Sequence, residues 1–139
     1  MMANEEGYVD VVNHLRSQFF GLSELWATTE YAREYGITGD YSSYQNRIDL
    51  FCKVLERILT NGEARIANRG IFLQGSSKEQ SDLFRRSFPK SVEEMEEKDA
   101  YWWYLEECPG ELVWYTDLDD EGFQTSPVGD GRFYFWTNS

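Results

Sequence analysis

A chain of 139 residues that is 41% apolar and 17% aromatic is long enough to bury a core as one domain and too apolar to default to disorder. Its formal net charge of −12 disfavours nucleic acid and anionic lipid as partners and favours a basic protein. No run approaches the roughly 18 apolar residues of a membrane span. The start Met1-Met2-Ala3-Asn4-Glu5-Glu6 lacks the basic and apolar regions of a signal peptide, so a cytoplasmic location is expected.

Residues 5–20 read as a helix, with Val9, Val12, Leu15, Phe19 and Phe20 at three- and four-residue spacings and Gly21 as its stop. Ser23 is placed to cap a second helix reaching about Tyr35, with Leu22 as its staple and Leu25, Trp26, Thr29 and Ala32 as its stripe. Gly36 and Gly39 mark a loop. Ser42 or Ser43 then caps a third helix, lined by Ile48, Phe51, Cys52, Leu55, Ile58 and Leu59 and stopped by Asn61-Gly62. Asp49 and Lys53 add a favourable pair four residues apart.

Two apolar segments within 64–74 flank Asn68-Arg69-Gly70 and predict a hairpin. Ser76 and Ser77, ahead of Glu79 and Gln80, form a capping box in either register for a fourth helix that must end before Pro89. Ser91 with Glu94 starts a short acidic helix. From Ala100 the pattern turns strand-like, and strands are expected over 101–105, 111–115 and 132–137, punctuated by Pro109-Gly110 and 127–131. Alternation sets Trp102 and Tyr104 against Tyr101 and Trp103, and Phe133 and Phe135 against Tyr134 and Trp136. The phenylalanines are the ones expected to face the helices, since they carry no polar atom. The expected class is α+β, with N-terminal helices packed on a C-terminal antiparallel sheet and a hairpin after the third helix. A single domain over 1–139 follows, helical over about 5–97 and acidic, aromatic and β over about 100–137.

Charge divides unevenly along the chain. Residues 93–139 hold 13 Asp/Glu against Lys98 and Arg132, a net of −11, while residues 1–92 hold 12 against 11. The same 47 residues carry Trp102, Trp103, Trp114 and Trp136 and seven further aromatics. Acidic side chains around large flat ones suit a basic partner, and they also describe a solvated face over an aromatic core.

Catalytic patterns are sparse. His14 is the single histidine, and no Gly-x-Ser-x-Gly elbow or catalytic cysteine context accompanies it. Cys52 and Cys108 have no metal spacing, and Cys52 falls in the helical stripe as an inert buried thiol. The run Asp117-Leu118-Asp119-Asp120-Glu121-Gly122 matches the first half of a calcium loop, but Val128 stands where its bidentate Glu belongs. The pairs Glu93-Glu94, Glu96-Glu97 and Glu106-Glu107 read as solvated rather than as a catalytic couple. Phosphate-cradling glycine motifs are absent. No enzyme, cofactor or metal is therefore expected. Three helices and a hairpin also resemble a winged helix-turn-helix, with Arg65 and Arg69 on the wing and Arg47, Lys53 and Arg57 against Asp49 and Glu56 on the third helix. The near-neutral charge there and the acidic third beyond it argue against a duplex, leaving DNA binding or regulation as the alternative.

The stretch Gly70 to Met95, with Gln80-x-x-Leu83-Phe84 followed by Phe88-Pro89-Lys90, and the stretch Glu106 to Trp114 resemble a family of small acidic bacterial immunity proteins of contact-dependent growth inhibition and related polymorphic toxin systems. The resemblance spans roughly Leu50 to Trp114. It implies cytosolic neutralisation of one cognate toxin C-terminal domain, and it brings no catalytic or binding residue with it. Many such toxins are nucleases with basic clefts, toward which an acidic inhibitor is steered. The charge asymmetry nominates Glu106, Glu107, Asp117, Asp119, Asp120 and Glu121 as the toxin-binding rim, with Tyr134 and Trp136 as anchors.

Overall fold

The computed structural model describes residues 2–37, 39, 41–116, 124–125 and 133–137. Helices come first: α1 (Met2–Ser17), α2 (Leu22–Thr28) running into a 3-10 segment (Thr29–Tyr35), and α3 (Tyr44–Thr60). The hairpin β1 (Ala64–Asn68) and β2 (Ile71–Phe72) follows, then α4 (Ser77–Ser87) and α5 (Val92–Trp102). Strands β3 (Glu111–Thr116), β4 (Gln124–Thr125) and β5 (Phe133–Trp136) complete the order. The five strands form one antiparallel sheet in the order β2-β1-β3-β5-β4, so the fold is α+β and the early hairpin shares its sheet with the C-terminal strands.

The caps follow the sequence in three helices and depart from it in one. Ser43, Ser76 and Ser91 each accept the N–H three residues on, and Glu79 reaches back to the Ser76 N–H as the second half of a capping box. The second helix is capped differently. Gly21, not Ser23, is its N-cap, and Glu24 accepts the Gly21 N–H at 2.7 Å. The first helix ends at Ser17, four residues before Gly21. Phe19 takes the left-handed conformation (φ 51°), with its N–H on the Arg16 carbonyl and the Phe20 N–H on that of Leu15. That is the two-bond closure usually built on glycine.

Helix α3 is the centre of the helical layer. Ile48, Phe51, Cys52, Leu55 and Ile58 are buried as the stripe predicts, and Leu50 and Val54 are buried as well. The stripe widens because α1, α2 and α4 all pack on this helix. Asp49 is met by Arg85 of α4, a cross-helix pair in place of the intrahelical partner read from spacing.

The expected strand over 101–105 is a helix end instead. Helix α5 continues to Trp102, Trp103 is its C-cap, and both indoles are buried while Tyr101 and Tyr104 are exposed. Adjacent helical residues lie about 100° apart, so two neighbours can share one side, which a strand forbids. Phe88 stacks on Trp102 at 5.2 Å and meets Trp103 edge-on at 6.0 Å. This aromatic packing overrides the strand propensity of the segment.

The sheet buries both faces. On the helical side lie Ala64, Ile66, Leu112 and Trp114, and the Trp114 indole N–H donates to the Phe20 carbonyl at 2.8 Å. On the other side Ala67, Phe72, Val113 and Tyr134 form a second cluster, with Tyr115 and Trp136 packed against it. The expectation that Tyr134 lies at the surface is overturned. Its exposure is 0%, and its ring is wedged between Phe72 at 5.3 Å and Tyr115 at 4.9 Å. Trp136 is half-buried, stacked on Phe72 at 5.7 Å. The aromatic layer on this face therefore takes up Tyr134 entirely and Trp136 in part.

Candidate functional site

An open groove of about 820 Å³ runs between the β1–β2 hairpin and the connection from α5 to β3. One wall is Asn68, Arg69 and Ile71; the other is Tyr104, Leu105 and Glu106. The hairpin wall is set by a two-residue turn, Arg69 (φ 52°) and Gly70 (φ 82°), which places Asn68 opposite Ile71. Positive φ at both central residues is the turn that matches strand twist, and arginine is an uncommon occupant of the first position. The opposite wall is wound tight by N–H bonds from Tyr104 to Tyr101, Leu105 to Trp102 and Cys108 to Leu105, at 2.9, 3.0 and 3.1 Å.

Gly110 joins the walls. A Cβ there would lie 2.5 Å from the Ala67 carbonyl oxygen, so only glycine lets β3 start against β1. This is the structural reason for the Pro109-Gly110 pair. Cys108 lies buried in the groove lining, its thiol 3.4 Å from the Gly110 carbonyl, and burial pushes its pKa up to about 12. Cys52, under α4, is pushed up to about 11 by the same cause. Both thiols are poor nucleophiles at neutral pH.

The groove leaves unusual apolar surface in water. Ile71 is 73% exposed and Tyr104 66%. Across the mouth Arg69 Nη2 meets Glu106 Oε1 at 3.1 Å, both side chains in solvent. Glu107 pairs with Lys98 of α5 at 3.6 Å.

The expected rim residues thus separate. Glu106 and Glu107 sit at the surface on the α5–β3 connection, at and beside the groove. Asp117, Asp119, Asp120 and Glu121, and with them the half calcium loop, lie outside the described residues. Ile71 and Tyr104 were not nominated from sequence, and Arg69 only as a wing residue of the DNA-binding alternative. Ile71 reads there as part of an apolar hairpin segment and Tyr104 as strand, and only their three-dimensional placement brings them together.

His14 is exposed on α1, its ring 5.5 Å from Phe20 and 6.2 Å from Tyr35. Among the described residues no group of three or more His, Cys, Asp or Glu could hold a metal ion, and no helix is long and apolar enough to cross a membrane. The winged-helix layout meets two obstacles. Strand β1 is paired on both sides, so the hairpin is not a free wing. Arg47 lies 4.0 Å over Trp26 and pairs with Glu30, and Arg57 lies 5.0 Å over Tyr8, which engages two of the three α3 cations named above with neighbours in the fold.

A solved structure described as an uncharacterized protein conserved in bacteria, from Neisseria meningitidis, shares the fold, with a TM-score of 0.66, 20% identity and 84% of each chain covered. No curated protein matches the chain. Residues 59–137, which include the hairpin, α4, α5 and β3, match the model of a family described as protein of unknown function, DUF596, and the chain belongs to that family.

Proposed function

We propose that this chain is an immunity protein, a non-enzymatic binder that neutralises one cognate contact-dependent growth-inhibition toxin domain, a basic nuclease domain, in the cytosol. The observation that carries the reading is the groove. It holds Ile71 and Tyr104 in solvent beside Glu106, on a chain of net charge −12. Exposed apolar and aromatic side chains gathered in one recess mark an interaction surface, and the charge selects a basic partner. The likeness of 50–114 to immunity proteins supports the same role. In this reading the anchors come from the groove, in place of the fully buried Tyr134, with Glu106 lining it and Glu107 beside it.

The test is to look immediately upstream of the gene for this chain for one encoding a large secreted protein, and to co-express the C-terminal domain of that protein with this chain; finding no such gene counts against the proposal. Cells should survive the toxin domain with this chain and die without it, and the two proteins should co-elute in gel filtration. Continued killing despite soluble expression of the chain, with no co-elution, overturns the proposal.

A further inference from the structure

The Arg69–Glu106 pair spans the groove mouth, and among the described lining residues Arg69 is the cation that a basic partner would repel. We infer that the groove receives a loop of the basic partner carrying a Lys or Arg next to an apolar side chain, and that the partner's cation replaces Arg69 on Glu106. The inference rests on the immunity reading for the identity of the partner, and on the groove's own geometry for the contact.

Four features support the exchange. The pair is 3.1 Å long, with side chains 78% and 88% exposed, so it is held weakly and opens easily. Arg69 occupies a left-handed turn position where Asn, Asp or Gly is usual, so local backbone preference does not explain an arginine there. Glu107 is paired with Lys98, and Glu106, already facing a cation across the mouth, is the carboxylate placed to change partner. The walls are held by the close approach of Gly110 to β1 and by the backbone hydrogen bonds of the α5–β3 connection, which lowers the ordering required on binding. The apolar neighbour of the incoming cation would cover Ile71 and Tyr104. An anionic loop would instead meet the field of a −12 chain.

The experiment is calorimetric titration of the purified toxin domain identified by the co-expression test into the full chain and into Ile71→Asp, Tyr104→Ala, Glu106→Gln and Arg69→Gln. All four positions are exposed, and circular dichroism checks that each variant folds. Ile71→Asp and Glu106→Gln should each weaken binding by about tenfold or more, and Tyr104→Ala by several-fold, as truncated anchors do. Arg69→Gln should tighten binding by about threefold, since it releases Glu106 without removing a partner contact. If Arg69→Gln weakens binding as Glu106→Gln does, the exchange is wrong. If the toxin domain binds with all four variants unchanged, the groove is not the docking site and the immunity reading stands. If the unmodified chain does not bind the domain, the immunity reading fails and this inference with it.

Discussion

Single side chains show where the core is strict. Leu55 is fully buried at the centre of α3 among partners from several helices. Leu55→Ala should cost about 2–5 kcal/mol in chemical denaturation, and a loss below about 1 kcal/mol would mean that the site collapses around the deletion. The two thiols make a second point. Their folded pKa values, about 11 for Cys52 and about 12 for Cys108, lie above the ordinary 9.0 because burial penalises the thiolate. In that range the unfolded chain releases its thiol protons first, so protons favour the folded state and stability falls as pH rises from 9 through the folded values. Tyr44, whose hydroxyl donates to the Pro89 carbonyl and whose pKa is raised to about 12, adds to the same trend. Unfolding free energy should therefore drop between pH 8 and 10.5, and drop less in a Cys52→Ala, Cys108→Ala double variant. At pH 8 neither thiol should react with a thiol reagent until denaturant is added.

Among the elements, α5 separates what can be read locally from what cannot. Its start is written in Ser91, whose side chain accepts the Glu94 N–H at 3.2 Å. Ser91→Ala should cost about 1 kcal/mol in thermal or denaturant unfolding, as loss of a helix cap does. Its end is not written locally. Tyr101 to Leu105 has strand composition, yet it forms the helix end and the turn after it because Trp102 and Trp103 find Phe88 and Phe51, supplied by distant parts of the chain. The stripe of α3, the hairpin turn and the serine caps were legible because period and capping are properties of neighbours in sequence. The groove was not, because Ile71 and Tyr104 belong to different elements and each has an ordinary local role. Tyr134 was misplaced because a sheet with two packed faces hides both sides of a strand, and alternation cannot tell one covered face from two. At the junction of these elements, Gly110→Ala should destabilise the fold by about 1–3 kcal/mol as an overpacking change, measured by denaturant unfolding.

For the molecule as a whole, the net charge of −12 opposes compaction as well as selecting partners. Adding sodium chloride screens that repulsion, so the unfolding midpoint at pH 7 should rise between 10 and 500 mM salt, which bring the screening length from about 30 Å to under about 5 Å. A flat or falling midpoint would show that pairs such as Arg85–Asp49 and Arg47–Glu30 outweigh the repulsion.

The strand order also dictates when, during synthesis, the chain can finish folding. Strand β1 is made early, yet its inner neighbour is β3, with Ala64 opposite Trp114. Helices α4 and α5 must be translated in between. Until Glu111 to Thr116 emerge, the nascent hairpin carries a bare inner edge, open to pairing with another chain. The bond from the Trp114 indole to the Phe20 carbonyl joins residues 94 apart, so strand insertion and closure onto the first helices belong to one late event. Such non-local closure slows folding. Chains stalled before residue 111 should therefore be the aggregation-prone species, and the slow refolding phase should coincide with burial of Trp114.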